Sequence, residues 1–197
     1  QKAMKSYHRG WELILVNDGS TDNTLEFARD VSRRNSHVKL ISYTPNMGRG
    51  KALRTGFASA KGDIIVTIES DLSWNATHIL KIVRELEKDK GVDIILGSPY
   101  IAGGRTEDVP FKRLLISRLG NRILSLVMKG NLKMVTQMLR GYRREVIDSL
   151  DLESDRKEIH LEILSNALAC GYKAKEIPAI LKGRPGGKSK FKFKTTV

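Results

Sequence analysis

Apolar residues in the first half of the chain form short runs that alternate with stretches of helical periodicity. The runs are rich in Ile and Val and are closed by turn residues, which is typical of buried β-strands. They predict strands over 11–16, 38–43, 64–68 and 92–96, and helices that end near Arg33 or cover 50–60 and 77–88. Alternating strands and helices form βαβ units, so the pattern predicts an α/β fold with a mainly parallel sheet flanked by helices.

The second half of the chain is less regular. A long apolar and basic stretch, 111–128, predicts a helix whose apolar residues are accompanied by Lys112, Arg113, Arg118 and Arg122. Packing against the sheet is the ordinary interpretation of such a helix, and a basic amphipathic helix at a membrane surface is the alternative. The remaining pattern predicts a loop over 102–110, a helix over 158–170 and a strand over 172–177.

The net charge of the chain limits the classes of binding partner. The chain carries 35 Lys and Arg against 22 Asp and Glu, a net charge of +13. This surplus indicates a polyanionic partner: a phosphorylated substrate, an anionic membrane surface or a nucleic acid. Because only 6% of residues are aromatic and no nucleic-acid-binding motif occurs, we expect no nucleic acid. No window of about 18 apolar residues predicts a membrane span.

The single cysteine, Cys170, excludes an internal disulfide and lies in an apolar helical pattern. We expect it to be a small buried hydrophobic residue.

Two acidic clusters directly follow predicted strands. Asn17-Asp18-Gly19-Ser20 comes after the first strand, and Glu69-Ser70-Asp71 comes after the third. In a parallel α/β sheet, ligands bind beyond the carboxyl ends of the strands. One cluster is therefore suited to the polar edge of a nucleotide, and the other to a divalent cation on its diphosphate. The first cluster also has the composition of a helix start, and the two interpretations are compatible.

A glycine-rich segment, Asn46-x-Gly48-x-Gly50-Lys51, follows the second strand. Ala52 stands where a Walker-type phosphate loop has Ser or Thr, which disfavours an NTPase of that kind. The glycines still allow the backbone to approach a ligand closely, and Lys51 is able to offset phosphate charge.

These segments, in this order, resemble the family-two glycosyltransferases, which have the GT-A fold. The pattern is N-D-G-S-T-D-N-T after a strand, then N-M-G-R-G-K-A, then G-D, a strand and E-S-D. The run Y-R-R-E-V at 142–146 and the later G-Y, E-I-P and G-K-S-K elements resemble the dolichyl-phosphate mannose synthase branch. The resemblance covers nearly the whole chain. It implies a GT-A-like catalytic domain over 1–181 that lacks its first strand and helix, and a basic segment over 182–197 that lies beside a membrane or closes the active site.

The resemblance also implies site residues. Glu69, Asp71 and Ser73 would hold Mg²⁺ or Mn²⁺, and the catalytic residues would be Asp71, Arg113 and Arg184, with the two arginines converging on one phosphate region. The residues implied to bind the nucleotide or its phosphates are Asp18, Gly19, Ser20, Asn46, Gly48, Lys51, Ser117 and Lys190.

Departures from the family pattern bear on the acceptor. Glu69, Ser73 and Pro99 replace the usual Asp, Gln and Arg, and 135–139 lacks the acid that often serves as general base. A hydroxyl acceptor needs a base to take its proton. A lipid monophosphate does not, because its second pKa is about 6. A phosphate acceptor also suits the surplus of Lys and Arg.

The resulting hypothesis is an inverting, divalent-metal-dependent glycosyltransferase. It would move a sugar from a GDP- or UDP-sugar to a polyprenyl or dolichyl phosphate at the cytoplasmic face of a membrane, where it would be peripheral or anchored by segments absent from this chain. The alternatives are a same-fold enzyme that extends a polysaccharide or glycolipid, and a non-catalytic nucleotide-binding relative. The basic segment, with six Lys or Arg and no acid, is expected to meet an anionic membrane surface, or else to be a disordered charged end.

Overall fold

A computed structural model of the chain describes residues 2–4, 6–128 and 131–183. A short 3-10 helix, Lys2–Met4, precedes the first strand. The elements that follow are β1 (Leu13–Asp18), α1 (Thr24–Arg33), β2 (Val38–Tyr43), α2 (Arg49–Ser59), β3 (Ile64–Thr67), α3 (Thr77–Lys88), β4 (Ile94–Ser98), β5 (Arg105–Glu107), α4 (Phe111–Val127), β6 (Arg140–Arg143), α5 (Arg144–Asp148), α6 (Ile159–Ala169), β7 (Ala174–Pro178) and β8 (Ile180–Lys182).

The strands of the described residues form three sheets. β1 and β2 pair in parallel, as do β5 and β8. The central sheet has the order β3-β6-β4-β7, in which β6 runs antiparallel to both of its neighbours and β4 and β7 are parallel. This arrangement of mainly parallel strands flanked by helices confirms the predicted α/β fold.

The core lies on both faces of the central sheet, because successive side chains of a strand point to opposite faces. Ile65 of β3 belongs to a cluster that includes Leu53 and Phe57 of α2 and Ile163 of α6. Its neighbours Ile64 and Val66 pack instead with the cluster that contains Ile82 of α3. α2 and α3 thus hold β3 from opposite sides, and the loop that follows β3 emerges between them.

Several predicted boundaries are wrong. α1 begins at Thr24, so Asp18 and Ser20 do not start it. β3 ends at Thr67 rather than Ile68, and the predicted loop 102–110 contains β5. Cys170 is exposed, not buried, because it lies at the end of α6 just outside the core.

The strand β6 was not predicted, because Arg-Gly-Tyr-Arg is short and polar. Its buried members nevertheless suit the core: Arg140 is 0% exposed, and Tyr142 packs edge-on against Phe57. A side chain at Gly141 would overlap Ile82, so the glycine lets α3 lie close to the sheet.

The expectation that the apolar residues of α4 pack against the sheet is wrong for most of them. Among the residues of α4, all of which the structure describes, Asn121 alone is buried. Most of the large apolar side chains of this helix are 55% to 81% exposed. The apolar residues in that range are Phe111, Leu115, Ile116, Leu119, Ile123, Leu126 and Val127. The described residues therefore leave this apolar surface uncovered.

Candidate functional site

The carboxylate of Asp18 organises the loop that follows β2. It accepts the backbone N–H groups of Met47, at 2.8 Å, and Gly48, at 2.9 Å, and the side-chain amide of Asn46, also at 2.9 Å. Gly19 has φ +62° and lies so close to Asn46 that a Cβ would overlap its backbone nitrogen. Four predicted nucleotide-binding residues, Asp18, Gly19, Asn46 and Gly48, are thus brought together. Ser20 follows them and is exposed.

The glycines at the start of α2 lie against the 154–155 segment of the same chain. The N–H groups of Gly50 and Lys51 donate to the carbonyl oxygen of Asp155, at 2.7 and 3.2 Å. Side chains at Gly48 or Gly50 would overlap the carbonyl oxygens of Asp155 or Ser154. The close approach that we predicted for a ligand is therefore made at these positions by the 154–155 segment. Lys51 remains half-buried at the same helix end.

The acidic loop, defined as residues 69–74, follows β3. Asp71 Oδ1 accepts the backbone N–H of Ser73 at 3.1 Å and its hydroxyl at 2.5 Å. Leu72 between them has φ +61° and is 70% exposed, an uncommon backbone conformation for a branched residue. Ser73 is buried, and its hydroxyl orients Asp71. Within the described ranges, no group of three or more His, Cys, Asp and Glu forms a metal cluster.

Glu69 is held by two residues that the sequence did not single out. Its Oε2 accepts the indole N–H of Trp74 at 2.8 Å, and its Oε1 lies 3.8 Å from a guanidinium nitrogen of Arg49. The signal that we overlooked was a basic residue at the first position of α2, directly after Gly48. Because Gly48 binds Asp18 and Arg49 pairs with Glu69, the two acidic clusters lie next to each other.

The end of the described chain passes beside the acidic loop. The N–H of Lys182 donates to the carbonyl oxygen of Ser73 at 2.9 Å, and Leu181 forms a β-bridge with Trp74. Arg184 and Lys190 lie outside the described residues, so their predicted roles stay predictions. The described chain ends at Gly183, one residue after the contact of Lys182 with this loop.

α4 starts near the same place, just after β5, the partner strand of β8. Arg113 is exposed in its first turn. The hydroxyl of Ser117 accepts that of Tyr100 at 3.0 Å, and Asn121 receives the N–H of Val135 at 2.7 Å. These bonds attach one side of α4 to the end of β4 and to the 132–139 segment. Ser117 is therefore half-buried beside Tyr100 rather than open like Arg113.

The segment 135–139 carries no carboxylate and lies in the core, since Val135 and Leu139 are fully buried. The guanidinium of Arg140 donates to the carbonyl oxygens of Val135 and Gln137 in this segment.

Two ionisable groups near these loops have altered pKa values. Burial, followed by the negative charge of Asp18, raises the pKa of Tyr43 to about 12, so its phenol stays protonated. Burial, followed by the charges of Arg140 and Arg49, lowers the pKa of His160 to about 3.

Comparison with known proteins gives the family of the chain and agrees with its fold. The family model of glycosyl transferase family 2 matches residues 1–151. The chain is 32% identical over 188 residues to dolichol-phosphate mannosyltransferase from Pyrococcus furiosus, covering 94% of this chain and 52% of that protein. The chain therefore belongs to glycosyl transferase family 2. It spans about half the length of this relative.

Among solved structures, glucosyl-3-phosphoglycerate synthase from Mycobacterium tuberculosis has a similar fold. Its complex with Mn²⁺ and UDP-glucose superposes with a TM-score of 0.67 at 18% identity, covering 90% of this chain and 61% of that one. Its complex with Mg²⁺ and UDP gives a TM-score of 0.65 at 20% identity, with the same coverage. The likeness at this identity concerns the fold.

Proposed function

We propose that the chain carries the donor site of an inverting glycosyltransferase that moves a sugar from a nucleotide-sugar to a polyprenyl or dolichyl phosphate. The observation that carries this proposal is the junction at Gly48 and Arg49. It joins Asp18, suited to the nucleoside, to the acidic loop, suited to a metal-bound diphosphate. The family membership and the name of the Pyrococcus furiosus relative support the same reaction.

The acidic loop fits a hard divalent cation. Mg²⁺ and Mn²⁺ take carboxylate oxygens, often from one or two residues, and fill the remaining positions with phosphate oxygens and water. Asp71, oriented by Ser73, and Glu69 supply carboxylates of this kind. A bound cation would offset the charge that develops on the departing nucleoside diphosphate. The solved neighbours bound to Mn²⁺ or Mg²⁺ support this assignment.

A phosphate acceptor suits the chemistry of the described residues. In the proposed step, an acceptor phosphate oxygen bonds to the anomeric carbon as the bond from that carbon to the donor diphosphate breaks. No proton needs to be removed, because the phosphate is largely ionised at neutral pH. Arg113, together with Arg184, would hold phosphate oxygens by bidentate hydrogen bonds. The strands β5 and β8, which precede these two arginines, pair with each other, and this supports their convergence.

The acceptor's lipid requires a membrane surface, and α4 has the properties to meet one. Its exposed apolar residues are interleaved with Lys112, Arg113, Arg118 and Arg122, and it contains no acid. Apolar burial together with attraction to anionic lipids binds such helices in the interfacial plane. No helix of the described residues is long and apolar enough to cross a membrane. We infer from its exposed apolar and basic residues that α4 contacts the membrane surface, and the basic segment 182–197 would add to this contact.

Product formation tests the proposal. The protein is incubated with Mn²⁺, a panel of GDP- and UDP-sugars and either dolichyl phosphate or dolichol, and lipids are analysed by mass spectrometry. We expect a glycosylated lipid phosphate, none from dolichol, and loss of product with Asp71→Asn. Transfer to dolichol, or to a glycan acceptor in its place, would favour the polysaccharide- or glycolipid-extending alternative. Nucleotide binding without any transfer would favour the non-catalytic one.

A further inference from the structure

The ion pair between Arg49 and Glu69 joins the two acidic clusters, but the function proposed above gives Arg49 no step of its own. Arg49 is the first residue of α2, and its side chain is 38% exposed, against 17% for Glu69. The other oxygen of Glu69 is fixed by Trp74. The carboxylate is therefore held in place, while the guanidinium lies at the surface of the site.

Arg49 is poorly placed for the stability of its own helix. The N-terminus of a helix carries partial positive charge, which favours acidic and disfavours basic residues. The first turn of α2 contains no acid, and Lys51 adds a second cation to it. Residues that break a local rule of this kind often serve a site. Glu69 is the carboxylate that lies opposite this cation.

We propose that Arg49 is an exchangeable cation of the acidic loop. It neutralises Glu69 when the donor is absent, and it turns to the donor diphosphate when a divalent cation takes its place at Glu69 and Asp71. This proposal deepens the proposed function and rests on it. The physical reason is that a guanidinium and a dication repel each other across one carboxylate. Phosphate oxygens, in contrast, match the planar donor geometry of arginine.

The exchange couples metal binding to nucleotide binding. A cation that binds alone must displace Arg49, which gains nothing in return. A cation that binds with a nucleoside diphosphate gives the displaced guanidinium a new partner. Each ligand should therefore tighten the binding of the other by the same factor.

The test measures Mn²⁺ affinity by electron paramagnetic resonance, and UDP and GDP affinity by calorimetry with Mn²⁺ present. Arg49→Gln should bind Mn²⁺ alone on the order of two- to fivefold more tightly, the range expected for loss of a partly exposed ion pair. The same variant should bind the nucleotide more weakly. Arg49→Lys should lie between wild type and Arg49→Gln in both assays. Arg84→Gln, which removes an equal charge from the exposed side of α3, should leave both affinities unchanged.

A double-variant comparison isolates the pair. In a Glu69→Gln background, Arg49→Gln should no longer tighten Mn²⁺ binding, because the carboxylate for which the two cations compete is gone. Thermal melting confirms that each variant is folded.

Unchanged or weaker Mn²⁺ binding by Arg49→Gln would overturn the competition between the two cations. Tighter Mn²⁺ binding with unchanged nucleotide affinity would overturn the exchange. Failure of the wild type to bind UDP or GDP with Mn²⁺ would refute the proposed function and the exchange. The Mn²⁺-only measurement would then still support or overturn the competition.

Discussion

The buried imidazole of His160 should make the protein less stable in mild acid. His160 lies near the start of α6, is 1% exposed, and has no hydrogen-bond partner in the described residues for either ring nitrogen. Burial first, and then the cations Arg140 and Arg49, lower its pKa to about 3. The guanidinium of Arg140 is itself fully buried and donates to three carbonyl oxygens, those of Gln137, His160 and Val135. A second positive charge beside this guanidinium, on a protonated His160, would lower the stability of the folded protein.

The direction and the size of this loss of stability follow from proton linkage. Above pH 6.5 the imidazole is neutral in both the folded and the unfolded chain, so it contributes no pH dependence. As the pH falls below 6.5, the unfolded chain binds a proton that the folded chain rejects until about pH 3. The free energy of unfolding therefore drops by about 1.4 kcal/mol per pH unit in this window, or about 2 kcal/mol at pH 5.

Replacing His160 with leucine should remove this loss. The two side chains have similar volumes, and the substitution breaks no side-chain hydrogen bond of the ring. Urea unfolding followed by circular dichroism at pH 7.5, 6.5, 5.5 and 5.0 measures the difference between variant and wild type. We expect the stability of His160→Leu relative to wild type to rise by about 2 kcal/mol between pH 7.5 and pH 5.

Taking this difference cancels the titration of the carboxylates, which is common to both proteins. His8→Leu at an exposed position controls for the loss of a histidine as such. A difference between His160→Leu and wild type that stays constant from pH 7.5 to pH 5 would refute the reasoning.

Three further outcomes are expected. Asp71→Asn should weaken Mn²⁺-dependent UDP or GDP binding at least tenfold without changing the melting temperature, because one carboxylate charge on the cation is lost; full affinity in chelator would contradict the metal role. Ile116→Asp should reduce sedimentation with anionic liposomes and leave stability unchanged, whereas Phe27→Asp, at an equally exposed position on α1, should not; equal effects of the two variants would argue against α4 as the contact. Gly50→Ala should destabilise the protein by about 2 kcal/mol or more, since its Cβ would overlap the Ser154 carbonyl; an unchanged urea midpoint would show that the 154–155 segment yields.

Much of the fold was readable from local patterns. β2 and α3 have the predicted boundaries, β1 and α2 differ from prediction by one or two residues at each end, and β3 ends one residue early. Burial periodicity and turn residues are local properties, so the sequence alone determines them. Asp18, Asn46 and Gly48 were expected only as nucleotide-binding residues that the resemblance implies. Their grouping became visible in the structure, where β1 and β2 pair in parallel and their carboxyl ends lie side by side.

Other features were decided by tertiary packing. The Arg49–Glu69 pair depends on how α2 lies against β3, and no spacing rule connects the two residues. The exposure of α4 follows from its attachment on one side only, through Ser117 and Asn121, although its apolar content resembles that of a core helix. Arg140 is tolerated in the buried strand β6 because its guanidinium donates to three carbonyl oxygens inside the protein. Sequence patterns indicate which side chains favour burial. Whether a buried charge finds hydrogen-bond partners, and whether an apolar face is covered, depends on residues from distant parts of the chain.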